Sequence, residues 1–381
     1  MTTGDISIPG DAGATLVVDL DAITENYKLI RETCPNAAVG ASVKANAYGL
    51  GLGPVAKALS RVGCQSFFVA TPREGTSLRK TLPTAQIIVL NGPARGATDI
   101  FFEFDLCPTL NSLEQIETWH DAIKERHENT TAWLHIDTGM NRLGLNHNDL
   151  ERLLADPERL SELGVSTLMS HLACADTPDH PMNAAQLETF RVARSRIEAV
   201  TGRLEASLAN SPGAFLGDAF HLDQVRPGAA LYGIAPSLDR PNPMRQVVEI
   251  HAKILQVRSV DTPMTVGYGA AHHVEKPARI ATIAAGYADG YPRAATSKTG
   301  GTMHAHIAGH DVPLCGRVSM DLITIDVSDL PEELARPGQA VELLGYHVSV
   351  DELAVASGTI GYEVLARLGS RFERLYKGGQ S

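Results

Sequence analysis

The chain has few cysteines: Cys34, Cys64, Cys107, Cys174 and Cys315 in 381 residues. Their number is odd and no pair has CxxC spacing, which fits a reducing compartment without structural disulfides or a zinc knot. All five are expected to be buried, inert thiols. Long apolar runs are missing, and none approaches the ~20 residues of a membrane span. Met1-Thr2-Thr3-Gly4-Asp5 has neither the basic nor the apolar region of a signal peptide, so a cytoplasmic protein is expected. Positive charge is in deficit. With 33 Lys and Arg against 44 Asp and Glu, the net charge is −11. That argues against a nucleic-acid partner and leaves room for a local basic site for a small anion. HExxH is absent, and His272-His273 reads as a bare, solvated pair on a loop, so no metal site is expected. There is no repeat or low-complexity tract.

What is present is ordinary for a globular protein: 20% charged and 44% hydrophobic residues, in a chain long enough for two domains. Ala14–Leu20 alternates weakly and reads as a strand, and Asp21 is the expected N-cap of a helix reaching Glu32. Short apolar strands then alternate with helical stretches, the signature of parallel βα units. The strands are expected at Val39–Val43, Ser66–Ala70, Gln86–Leu90, Leu106–Thr109, Ala132–Ile136, Ser166–Ser170, Glu205–Ala209 and Gln224–Arg226. Asn148–Leu163 and Pro212–Phe220 are among the expected helices. Eight strands are the count for a closed (β/α)8 barrel of the TIM type. The helix at Asp21–Glu32 would supply the eighth helix, leaving Ala14–Leu20 to pair with a second domain. After the proline-rich link Pro236–Pro243, strands are expected at Glu249–Val260, Ala278–Ala284, Thr302–Ile307, Val312–Val318, Leu322–Val327 and Gln339–Leu344. The expected division is therefore a barrel over 1–245 and a mostly β domain over 246–381.

In such a barrel the chemistry lies at the C-terminal ends of the strands. Those ends carry Lys44, Asp137–Arg142, His171, Asn210-Ser211 and Arg226-Pro227-Gly228. Each has a bland reading. Lys44 alone reads best as a lysine snorkelling past a strand end, His171 as a structural histidine, and Asn210-Ser211 as a helix cap. Together they form an electropositive mouth in an acidic protein. Barrel phosphate sites are commonly built after strands seven and eight, where Ser211 and Gly228-Ala229 fall. A glycine there lets backbone approach a phosphate. A lysine able to form a Schiff base opposite a phosphate cradle describes a site for pyridoxal phosphate.

Six segments carry a closer resemblance: Val43–Gly49, Asp137–Gly144, Val225–Gly233, Gly267-Tyr268-Gly269, Gly286–Gly290 and Gly316–Asp321. With them the chain resembles the alanine racemases, two-domain fold-type III pyridoxal-phosphate enzymes, over nearly its whole length. The resemblance implies that Lys44 carries the cofactor, that Tyr48, Ser211, Gly228, Ala229 and Tyr362 hold its phosphate, and that Asn210 binds the cofactor with them. It places Arg226 at the pyridine nitrogen, His171 in a hydrogen-bond chain behind Arg226, and Arg142 near the substrate carboxylate. It also implies a head-to-tail homodimer in which Tyr268 and Met320 of one subunit enter the site of the other. Lys44 and Tyr268 are then two bases, one for each face of alanine, Lys44 serving the D face and Tyr268 the L face.

The family often has a carbamylated lysine seven residues before the arginine of the DTGMxR motif, where this chain has His135. A neutral imidazole can accept one hydrogen bond but brings no negative charge. No carbamylated lysine is expected there, and His135 is expected to make a structural hydrogen bond. Other readings are a racemase for serine or a basic amino acid, a decarboxylase of the same fold type, and a non-catalytic pyridoxal-phosphate carrier. Lys44, Tyr48 and Arg226 favour racemisation over decarboxylation, and the second domain with Tyr268 disfavours the carrier.

Overall fold

Short apolar segments fold as a ring of parallel strands because each buries both faces, one against helices and one against the ring's interior. The computed structural model describes residues 8–126, 130–296 and 303–379. The N-terminal Met1–Asp5 and the expected strand start at Thr302 lie outside the described residues. In chain order the strands up to the second domain are β1 (Ala14–Asp19), β2 (Ala38–Val39), β3 (Ala41–Ser42), β4 (Ser66–Val69), β5 (Gln86–Val89), β6 (Cys107–Leu110), β7 (Ala132–His135), β8 (Val165–Met169), β9 (Glu205–Ser207) and β10 (Gln224–Val225). β3 to β9 form one parallel sheet, and β2 pairs parallel with β10. Asp223 N donates to Ala206 O at 3.0 Å and Arg226 N to Ala209 O at 2.9 Å, which joins β9 to β10 and closes the ring.

The first barrel strand is therefore β2 and β3 together, broken at Gly40. Its first half pairs with β10 and its second with β4. A Cβ at Gly40 would stand 2.5 Å from the Phe68 ring, so only glycine fits the crossing. Phe67 and Val69 belong to the outer core, whereas Phe68 packs with Ile88, Cys107, Trp133 and Met169 in a separate inner cluster. That is the period-two alternation of a strand. The inner cluster fills the barrel's interior, and Phe68 and Met169 also line the cavity at its mouth.

Helix α1 (Leu20–Thr33) is capped by Asp19, not Asp21: the Asp19 carboxylate accepts from Ala22 N at 2.9 Å. Leu20, Ile23, Tyr27 and Ile30 recur on its buried face. The Tyr27 hydroxyl donates to Val39 O at 3.0 Å and Asn26 Nδ2 to Leu231 O at 3.2 Å. α1 thus lies between the first strand and the turn after the last one, the place of the eighth helix. The expected helix at Asn148–Leu163 is two, His147–Leu154 and Pro157–Glu162, because Pro157 cannot continue the first. Pro212–Phe220 is two short 3₁₀ turns.

The second sheet is built on one long strand, β11 (Val248–Val260). It pairs antiparallel with β1, β14 (Ala278–Ile283) and β18 (Ala340–Leu344), once β12 (Met264–Val266) and β13 (His272–Val274) are counted as a separate hairpin. β15 (His304–Ile307), β16 (His310–Pro313) and β17 (Ile323–Asp326) extend it, and β19 (Glu373–Lys377) pairs parallel with β1. The strand before the barrel joins the second sheet as expected. His272 and His273 sit in β13 rather than in a loop. Helices Val350–Ala356 and Gly361–Ala366 and strand β19 were not expected from the sequence pattern. No described helix is long and apolar enough to cross a membrane. The five cysteines are free, and four are buried; Cys174 is partly exposed.

Candidate active site

Strand ends converge on one cavity of about 570 Å³ at the barrel mouth. Its lining includes Lys44, Tyr48, Arg142, His171, Asn210, Ser211, Arg226, Gly228, Ala229 and Tyr362. Ten of the residues expected at the site are thus brought together, the last of them from the C-terminal part of the chain. Tyr268 and Met320 are not. Tyr268 sits at the tip of the β12–β13 hairpin with 71% of its surface exposed, and Met320 is 53% exposed on a bend.

Lys44 opens a turn of unusual hand. Ala45, Asn46, Ala47 and Tyr48 all have positive φ, between 52° and 56°. None is glycine, and the left-handed conformation costs roughly 1–2 kcal/mol per residue. Surrounding bonds offset that cost. Ala47 N donates to Val43 O and Gly49 N to Ala45 O, both at 2.8 Å. Leu52 N donates to the Asn46 side chain at 2.8 Å, and Ala45 N to Glu74 Oε1 at 2.7 Å. From the other side, the Tyr376 hydroxyl donates to Leu50 O at 3.0 Å and Arg374 to Gly49 O at 3.2 Å. A turn this heavily tied holds its side chains in place.

Arg226 is the most enclosed cation of the site. Its guanidinium donates to the Ser207 hydroxyl and, at 2.6 Å, to the Ser170 carbonyl. Burial pushes its pKa down to about 9, still above neutrality. His171 was expected in the chain behind Arg226. Those positions belong to Ser207 and Ser170, and among the described residues no hydrogen bond joins the His171 ring to Arg226. The His171 backbone carbonyl instead accepts from Gln186 Nε2 at 2.9 Å. Gln186 also donates to Thr138 Oγ1 at 3.1 Å, so it fastens the sixth strand end to the loop that carries Arg142.

The loop from Asp137 to Leu145 folds back on β7: Leu145 N donates to His135 O at 2.8 Å. The Asp137 carboxylate is spent on Gly139 N and Asn141 N within the loop. Arg142 is left exposed at the mouth. His135 Nδ1 lies 2.8 Å from Asn111 Oδ1, the expected structural hydrogen bond. Asn111 Nδ2 donates to the Leu90 and Thr109 carbonyls, so its oxygen faces His135 and accepts a hydrogen bond from the Nδ1–H. Burial first, then Arg226, bring the His135 pKa down to about 4. Burial and then Arg226, Arg142 and Lys44 hold His171 well below the usual imidazole range. Both rings are neutral near pH 7. For Lys44, burial and then Arg142 lower the amine's pKa, Glu74 opposes them, and Arg226 adds to the lowering.

Opposite Lys44, the Ser211 hydroxyl accepts from Gly228 N at 2.8 Å and Ala230 N at 3.1 Å. The rings of Tyr48 and Tyr362 stand 6.1 Å apart beside this cradle. Burial raises both phenol pKa values, so both hydroxyls keep their protons and can donate. Asn210 keeps the bland role: its side-chain oxygen accepts from Gly213 N at 3.0 Å. The sequence pattern alone missed Ser207, Asn111 and Glu74. Only Glu74 had a signal, the Thr71-x-x-Glu74 capping box.

These residues fit pyridoxal phosphate. Three cations and no carboxylate line the cavity. A Cβ at Gly228 would fill the cradle, standing 2.4 Å from the Tyr48 hydroxyl and 3.1 Å from Ser42 Cβ. The cavity size suits a small cofactor with its substrate.

The chain is similar to known proteins over nearly its whole length. The family model described as alanine racemase, N-terminal domain, matches residues 18–236, and the one for the alanine racemase C-terminal domain matches residues 247–376. An alanine racemase of Rhodospirillum rubrum is 49% identical over 369 residues, covering 96% of each chain. A catabolic alanine racemase of Mesorhizobium japonicum is 45% identical, covering 97% of this chain and 94% of that one. The crystal structure of a Bartonella henselae alanine racemase with covalently bound pyridoxal phosphate superposes with a TM-score of 0.89 at 36% identity, covering 96% of this chain and 99% of that one. The chain belongs to the alanine racemase family.

Proposed function

We propose that this protein interconverts L-alanine and D-alanine with pyridoxal phosphate held in the barrel-mouth cavity. The observation that carries the reading is the convergence of a half-buried lysine, a backbone cradle and two arginines on one cavity without a carboxylate. Lys44 holds the cofactor. Tyr48, Tyr362, the Ser211 hydroxyl and the Gly228-Ala229 backbone hold its phosphate, Asn210 props the turn beside them, and Arg226 faces its ring nitrogen. When bound, pyridoxal phosphate makes the proton on the substrate's α-carbon acidic.

The chain's own residues do the rest. Racemisation removes a proton from one face and returns one to the other. The Lys44 amine moves it on the D face, and Tyr268 from a second copy of the chain moves it on the L face. Arg142 pairs with the substrate carboxylate, and Met320 of the second copy helps close the pocket. His171 adds a neutral polar wall. Arg226 donates a hydrogen bond without surrendering its proton, because a guanidinium stays charged.

The protein works as a head-to-tail homodimer in the cytoplasm, with a barrel over 1–245 and a β-rich domain over 246–381. The exposure of Tyr268 and Met320 supports the dimer. The gap between the matched family segments, which end at 236 and resume at 247, supports the division. The test is a racemisation assay on a panel of L-amino acids with D-alanine as the reverse substrate. Interconversion of the alanine enantiomers is expected; turnover of other amino acids but not alanine would overturn the substrate assignment.

A further inference from the structure

Glu74 stands at the third position of helix Pro72–Thr81, directly after β4. A capping box there uses one carboxylate oxygen, and Oε2 fills that part, accepting from Ala70 N at 2.8 Å and Thr71 N at 3.2 Å. Oε1 does something a cap does not need. It crosses to the preceding strand end and accepts from Ala45 N at 2.7 Å. Ala45 follows Lys44 directly and is the first residue of the left-handed turn, at φ 52°.

One carboxylate therefore joins the helix after the second barrel strand to the turn that carries the lysine. We propose that Glu74 is a positioning residue for Lys44: it clamps the left-handed turn so that the amine faces the cavity, and it sets a negative charge beside an amine otherwise crowded by two guanidiniums. The inference rests on the pyridoxal-phosphate reading of the cavity and names a residue that reading did not use.

The two effects separate by substitution. Glu74→Gln keeps the shape and loses the charge and one acceptor. Thr71→Ala weakens the helix cap and leaves the bond to Ala45 intact. Ala45→Gly lowers the cost of positive φ, so it restores the turn without restoring charge.

The measurement begins with the cofactor-free protein. Lys44 is modified with a lysine-directed electrophile across a pH series and quantified by mass spectrometry; pyridoxal-phosphate affinity is then titrated by visible absorbance. Glu74→Gln is expected to move the Lys44 reactivity midpoint to lower pH and to weaken cofactor affinity about tenfold, the scale of one lost charged hydrogen bond. Adding Ala45→Gly should recover affinity and leave the midpoint shifted. Thr71→Ala should move neither.

A folded Glu74→Gln protein with unchanged midpoint and affinity overturns the proposal. If Glu74→Gln does not fold, Glu74→Asp, which keeps the charge but is too short to span both segments, is read the same way: lost affinity with an unchanged midpoint supports the clamp, and unchanged affinity overturns it. Failure of the unsubstituted protein to take up pyridoxal phosphate overturns the underlying reading instead.

Discussion

Gly228 and the Tyr48 hydroxyl are so close that a single methyl group at position 228 would stand 2.4 Å from the oxygen. The φ of Gly228 is negative, at −132°, and it is the space beside Tyr48 that requires the glycine. Gly228→Ala must displace Tyr48 or the cradle. The expected result is at least a tenfold loss of pyridoxal-phosphate retention, read by visible absorbance. The accompanying loss of stability is about 1–3 kcal/mol, the usual cost of overpacking, read by denaturant unfolding.

His135 and His171 make the fold sensitive to mild acid. Both are held neutral by burial and by nearby cations, with His135 down to about 4. Between the ordinary imidazole pKa and that value the unfolded chain binds a proton that the folded chain refuses. Stability therefore falls as pH drops through this window and is level above it. His135 alone accounts for about 3 kcal/mol across the full window. Glu249, held down to about 2 by the His251 ring and Lys377, adds acid sensitivity only below the ordinary carboxylate range. Urea unfolding of the cofactor-free protein at mildly acid and neutral pH checks this. His135→Gln should flatten the slope, and an equally steep slope in that variant would assign the effect elsewhere.

Subunit mixing tests whether the site is shared. Lys44→Ala and Tyr268→Ala proteins are each expected to be inactive. After confirmed exchange of equal amounts, random pairing in a two-fold dimer should restore about a quarter of the sites. No recovery would mean that each site is built within one chain.

Much of the barrel was legible because its strands are short apolar runs ending at chemistry-bearing residues. Lys44, Arg142, His171, Ser211 and Arg226 could be read as one set because the barrel topology puts strand ends on one face. What was not legible depends on three-dimensional packing. The break at Gly40 exists because the Phe68 ring occupies the space of a Cβ. The left-handed Lys44 turn is held by bonds to Glu74, Arg374 and Tyr376, which are distant in sequence. Ser207 and Asn111 are neutral residues near strand ends, and nothing in their spacing announces that they hold Arg226 and His135. Pro157 and the Ser349-x-x-Glu352 box were local signals, and they mark a helix start at each site. The Tyr268 hairpin has strands of three residues, too short to show a period.

The account rests on two bases acting on opposite faces of the same carbon, one of them Tyr268. Exchange of the α-proton in heavy water, started separately from each alanine enantiomer, measures each base alone. In a Tyr268→Phe protein that still carries the cofactor, exchange from L-alanine should slow on the order of a hundredfold or more, the usual loss of a general acid–base group. Exchange from D-alanine, served by Lys44, should be far less affected. Equal losses from both enantiomers would contradict the two-base assignment.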